Sequence, residues 1–264
     1  MNIFLREVRA NIRSLLIWAS IVALLAVIAF TKFSAYANNP EMLAILDQMP
    51  AALIDAFNLK AFNLTTLSGF YGALFTYYAL ILSIAAAMWG SDIIAKEERD
   101  KTIEFALTLP VTRSQVVTGK LLAALANCIG LLLITWGITF LAARPYHPDR
   151  VFHDFLNLSM LALFILQMVF LSIGIFLGCA MKRYKQAGST AISLLLAAYF
   201  FSIISEMHER LDFLKYLSPF RYFDAGLMLR ESRLDLTYVG LSAAIIVVSL
   251  VGAYMTYARR DLYI

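Results

Sequence analysis

The chain has 264 residues, 61% hydrophobic and only 15% charged, with a mean hydropathy of +0.74 and a net charge of +4. Soluble domains carry about 45–50% apolar and about 25% charged residues, so a water-soluble globule of this composition is excluded. The apolar residues arrive in blocks of about twenty, the length a helix needs to cross a hydrocarbon core of about 30 Å.

In chain order, residues 1–14 place Arg6, Arg9 and Arg13 on one stripe and Phe4, Val8 and Ile12 on another. This pattern predicts an amphipathic elbow helix lying in the headgroup layer. The first apolar block, 15–33, is too long for a signal-peptide core and lacks a small-residue cleavage site, so it reads as the first span. Residues 38–69 offer only short amphipathic pieces around Pro40 and Pro50, too short to cross and therefore interfacial. Five further spans follow at about 70–90, 121–143, 158–181, 188–205 and 236–258. The fourth and fifth are joined by the basic hairpin Lys182-Arg183-Tyr184-Lys185. Between the last two spans, 211–234 alternates aromatic and charged residues around Pro219, which predicts a helix-turn-helix dipping into the membrane. Irregular backbone survives at that depth only where protein or water satisfies it. Cys128 and Cys179 lie inside apolar blocks and read as packing residues. The expected architecture is a single all-α transmembrane domain, 1–264, with six spans.

Lys and Arg accumulate in short cytoplasmic loops. With the N-terminus inside, thirteen bases and seven acids fall on the cytoplasmic side, a net +6, against nine bases and eleven acids outside, a net −2. Both termini are therefore expected in the cytoplasm of a cell-membrane protein.

The most polar region, 91–120, joins the second and third spans on the cytoplasmic side. Ser91 or Asp92 is expected to cap a helix start, and Thr112 or Ser114 the next one. Asp92/Lys96 and Glu97/Lys101 have the favourable acid-before-base spacing. Ile103, Phe105, Leu107 and Leu109 supply an apolar strip, and Pro110 stops the helix. The expected element is a short amphipathic helix lying across the membrane surface, rigidly joined to two spans.

This segment resembles the signature of ABC-2-type transporter permeases: acids, a Thr, a Leu, Pro-Val-[Ser/Thr]-Arg, then Gly-Lys at the next span. Here these are Glu97, Glu98, Thr102, Leu107, Pro110-Val111-Thr112-Arg113 and Gly119-Lys120. The chain departs from the pattern at Lys101, where Gly is usual, and at Ala106, where Leu is common. A looser resemblance spans the chain, from the elbow to Ser218-Pro219-Phe220 before the last span. It implies a coupling helix docked on a separate ATP-binding subunit, which holds ATP and Mg. Glu97, Glu98, Thr102, Phe105, Leu107, Pro110 and Arg113 are the implied coupling residues, with Glu98, Phe105 and Arg113 in contact. It also implies a second permease chain, identical or a sister, sharing the pathway. No nucleic-acid partner is expected.

The chain has no Gly-x-x-x-x-Gly-Lys-[Ser/Thr] phosphate loop, since Gly119-Lys120 lacks the upstream Gly and is followed by Leu121. No buried acids or histidines of proton-coupled carriers occur inside the spans. An intramembrane enzyme is disfavoured: Glu97-Glu98 lacks the Arg that CAAX-type proteases need at the position of Thr102, and His208-Glu209 lacks a second His at Asp212 for zinc. His147, His153 and His208 read as loop residues, so no catalytic, cofactor or metal site is expected in this chain. The competing reading is an ATPase-independent carrier or scaffold. Candidate pathway residues, chosen for polar or aromatic character within spans, are Tyr77, Tyr78, Gln167, Tyr199 and Phe200.

Overall fold

The computed structural model describes residues 3–37, 62–99, 112–181, 184–207 and 209–259. Seven α-helices occur among them, in order α1 (Ile3–Tyr36), α2 (Leu67–Arg99), α3 (Arg113–Ala143), α4 (Arg150–Ala180), α5 (Tyr184–Met207), the short α6 (Ala225–Glu231) and α7 (Leu236–Arg259). All but α6 are long and apolar enough to cross a membrane. Among the described residues there is no strand.

The helices outrun the apolar blocks that predict them. α1 to α4 have 31 to 34 residues each, or about 46–51 Å at 1.5 Å per residue. Hydropathy marks only the part inside hydrocarbon, whereas backbone hydrogen bonding continues into the polar flanks. Two expectations change as a result. The segment read as a separate elbow, 1–14, is in continuous helical register with the first span from Ile3 onward, with no break near residue 15. Ser91 and Asp92 do not cap a helix start: α2 runs through them to Arg99, and Ser91 Oγ donates back to the Ala87 carbonyl at 2.9 Å. Thr112 does cap α3, in a reciprocal capping box with Gln115.

Six alternating spans place the start of α1, the α2–α3 and α4–α5 junctions and the end of α7 at one end of the bundle, here the terminal face. α2 and α4 run parallel and form its centre. They approach through small residues, as membrane helices do when no water drives them together. A Cβ added to Gly90 would stand 2.5 Å from the Leu171 carbonyl oxygen, and one added to Gly174 would stand 2.6 Å from that of Ala87. Only glycine permits that approach. Leucines, isoleucines and valines along α1, α3 and α7 are left on the outer surface, as lipid-facing positions require.

At the distal face, Tyr146 donates from its hydroxyl to the Phe30 carbonyl at 2.6 Å and packs against Phe33. His153, read from sequence as a loop residue, lies in α4 with its ring 5.6 Å from Phe140 and 5.8 Å from Phe152. After α5 the chain forms 3-10 segments Glu209–Leu217 and Pro219–Tyr222, then α6. Pro219 opens its 3-10 turn, where its missing N–H costs nothing, and the segment read as a helix-turn-helix is a run of two 3-10 pieces followed by α6. The interfacial pieces expected within 38–61 lie outside the described residues.

Candidate functional site

The candidate site is the terminal face around the junction of α2 and α3. Its frame is built by long polar side chains that cross between helices. Lys120, about two turns beyond the α3 cap, is fully buried and donates from Nζ to the Ile93 main-chain oxygen of α2 at 2.5 Å. A buried ammonium is costly unless its donors are used, so this contact fixes how α3 leans on α2. Glu7 of α1 is only 2% exposed; it accepts from Arg6 at 3.1 Å and pairs with Lys96 of α2 at 3.7 Å. Lys96, spaced in sequence to support Asp92, thus reaches across to another helix. Further along the same pair, Trp89 Nε1 donates to Ser14 Oγ at 2.9 Å.

α3 is tied equally to the end of the chain. Arg113 Nη1 donates to the main-chain oxygens of Tyr257 and Ala258, at 3.3 and 3.1 Å. These belong to the last turn of α7, where carbonyls lack intrahelical partners and a cation is favoured. Thr118 Oγ1 and the Tyr254 hydroxyl are 2.7 Å apart. The last turns of α2 are therefore held by α1 and the first turns of α3 by α7.

Of the coupling residues named from sequence, Arg113 is the one whose side chain is described, and it engages α7. Glu97 and Glu98 fall in the last turn of α2, with side chains outside the described residues; Thr102, Phe105, Leu107 and Pro110 lie wholly outside them. Sequence reasoning missed Glu7 and took Lys120 only as the end of a motif. Glu7 was legible as a lone acid among three arginines; its partner on α2 was not, because local spacing carries no long-range pairing.

The candidate pathway residues do not converge. Tyr78 and Gln167 are enclosed in the bundle core, Tyr78 accepting from Thr139 Oγ1 at 3.1 Å. Tyr77 and Phe200 face outward, at 48% and 58% exposure. Tyr199 is half-buried with its ring edge-on to Phe220. Two cavities instead lie along the seam of α2 and α5. One, of about 700 Å³, opens near the terminal face between α1, α2 and α5, with Asn11, Ser14, Trp89, Asp92, Ser189 and Ser193 in its wall. The other, of about 60 Å³, sits near the distal face against Thr76, Tyr199, Ser202 and Glu206. Arg221 closes that end: its Nη1 reaches Glu206 at 2.5 Å and Asp224 at 2.8 Å, while Asp224 also caps α6.

Tyr222, in the 3-10 turn beside Arg221, donates to the Tyr216 carbonyl and stacks on Tyr238 at 5.2 Å. Burial pushes its phenol pKa up, so the neutral donor form is favoured. Among the described residues no group of three or more His, Cys, Asp and Glu could hold a metal.

Six long apolar helices and this buried polar frame define a multi-pass, all-helical membrane protein. The profile of the ABC-2 family transporter protein matches residues 1–262, and the chain belongs to that family. Membership makes it a membrane permease of the ABC transporter class and implies association with an ATP-binding subunit. No curated protein matches the chain.

Proposed function

We propose that this chain is the membrane-spanning subunit of an exporter whose ATP and Mg are bound by a separate subunit. Two permease chains, identical or paired with a sister, form the pathway, and both termini lie in the cytoplasm, as the basic residues of the terminal face favour. The observation that carries this reading is the frame around the α2–α3 junction. The end of α2 and the start of α3 are pinned by Lys120, Glu7–Lys96 and Arg113. A push on Glu97, Glu98, Thr102, Phe105, Leu107 or Pro110 from a docked ATPase would pass into α2 and α3, whose facing ends are held in this way.

The pathway, in this reading, follows the α2–α5 seam, where both cavities lie. It retains Tyr77, Tyr199 and Phe200, with a second chain covering the outward-facing Tyr77 and Phe200. Tyr78 and Gln167 serve the protomer core. Copurification in mild detergent tests the assignment: a nucleotide-hydrolysing subunit should accompany the chain. Phe105→Ala should leave that subunit bound and hydrolysing while transport falls. Transport by the purified chain alone, or unchanged transport in the Phe105 variant, would count against it.

A further inference from the structure

Three polar side chains in the bundle core have atoms without a hydrogen-bond partner: Ser83 Oγ on α2, Asn127 Nδ2 on α3, and both Oε1 and Nε2 of Gln167 on α4. Ser83 and Gln167 are fully enclosed and Asn127 is 2% exposed. Unmade hydrogen bonds are expensive in such a setting. Neighbouring core hydroxyls solve the problem locally: Thr135, Ser159 and Ser172 each donate to a main-chain carbonyl one turn back. Ser83 does not, although its own helix offers the same acceptor.

The register of the helices brings these groups together. Gly90 and Gly174 meet across the α2–α4 seam. Ser83 and Gln167 each lie seven residues earlier on their helices, about two turns, so both return to the seam at one level. That α2 and α4 are parallel is fixed independently by the Tyr71–Ser159 hydrogen bond at 2.6 Å, further toward the distal face. α3 runs antiparallel to α4, as Trp136 Nε1 to Asn157 Oδ1 and the Phe140–His153 ring contact show. Continued toward the terminal face, the same pairing sets Asn127 opposite residues 166–167.

We propose that an ordered water molecule sits in the α2–α4 seam between Ser83 Oγ and the Gln167 amide, within reach of Asn127. A direct Ser83–Gln167 bond would satisfy one end of the amide and strand the other. A water accepts and donates at once, and buried waters characteristically serve 2–4 otherwise unpaired polar groups. None of the three side chains is charged, so the ligand that matches them is neutral. This site is independent of the transport reading.

A structure of the whole chain in lipid nanodiscs, at a resolution that shows waters, should place a peak within about 3.2 Å of both Ser83 Oγ and the Gln167 amide. A dry seam, with the amide turned onto another protein group, overturns the proposal. Thermal unfolding is the second arm. Gln167→Met and Ser83→Ala should each lower the midpoint by about 2–4 °C, and the double variant by less than their sum, because both variants break one network. A rise on Gln167→Met would mean the amide is an unrelieved burden, and strict additivity would mean that no shared molecule links the two; either result overturns the inference. Should Gln167→Met not fold, the wild-type structure alone decides.

Discussion

Lys120 Nζ lies 2.5 Å from the main-chain oxygen of Ile93, joining the first turns of α3 to the last turns of α2 through a wholly enclosed ammonium. Methionine fills nearly the volume of the lysine stem, and losing the ammonium removes its desolvation cost along with its hydrogen bond to a neutral carbonyl, so the two changes largely offset. Lys120→Met should therefore keep its unfolding midpoint within about 3 °C of the parent, roughly 1 kcal/mol for a chain of this size. Transport per ATP hydrolysed should nevertheless fall, by about tenfold if the crossbar contributes about 1.4 kcal/mol to coupling. Paired measurements of hydrolysis and transport in proteoliposomes check this; parallel loss of both would point to simple misfolding.

Glu7 and Lys96 offer a cleaner electrostatic test. Reversing Glu7 alone puts a third cation beside Arg6 and Lys96, in a site that is 2% exposed. Glu7→Lys should cost about 3–5 kcal/mol, as breaking a buried pair does, and should lower the yield of monodisperse protein. The swap Glu7→Lys with Lys96→Glu should recover most of that yield. Failure of the swap to improve on the single variant would refute a direct pairing.

Two glycines that face α2 are predicted to differ, Gly174 of α4 being intolerant and Gly188 of α5 permissive. A side chain at Gly174 runs into the Ala87 carbonyl oxygen at 2.6 Å, whereas a Cβ at Gly188 meets nothing nearer than Ser91 Oγ at 3.7 Å. Gly174→Leu should destabilise by about 1–3 kcal/mol or more through overpacking. Gly188→Ala should be tolerated. Thermal unfolding of the two variants, side by side, decides.

Arg221 holds two carboxylates with one nitrogen, since the same Nη1 serves Glu206 and Asp224. Arg221→Met removes the cation that the two acids share and should cost about 1–3 kcal/mol, seen as faster proteolysis between residues 209 and 235. Arg221→Lys keeps a single cationic nitrogen and should restore most of the protection. Equal cleavage of all three proteins would remove the ion cluster from any role in holding the distal hairpin.

Much of the architecture is legible from composition because lipid imposes a length on every apolar block. The six blocks, the Thr112 cap and the helical breaks around Pro219 all follow from local chemistry. Helix ends are less legible: α2 continues nine residues past Gly90, since Ser91 and Asp92 are compatible with a helix interior once packing supports it. Pairings such as Glu7–Lys96 and Lys120–Ile93 join residues far apart in the chain, and nothing in their local pattern announces a partner. Gln167 shows a related limit: a polar residue in a span signals a hydrogen-bonding need without telling whether a substrate path or the bundle interior answers it.

The uninterrupted α1 has a mechanical consequence. Its 34 residues form a strut of about 51 Å, anchored near one tip by Glu7 and near the other by Phe30, where Tyr146 takes hold. With no joint to absorb bending, a tilt of about 5° at one anchor displaces the opposite tip by about 4 Å, by simple leverage along that length. Whatever shifts Lys96 on one side of the bilayer is thereby felt by the aromatic cluster on the other.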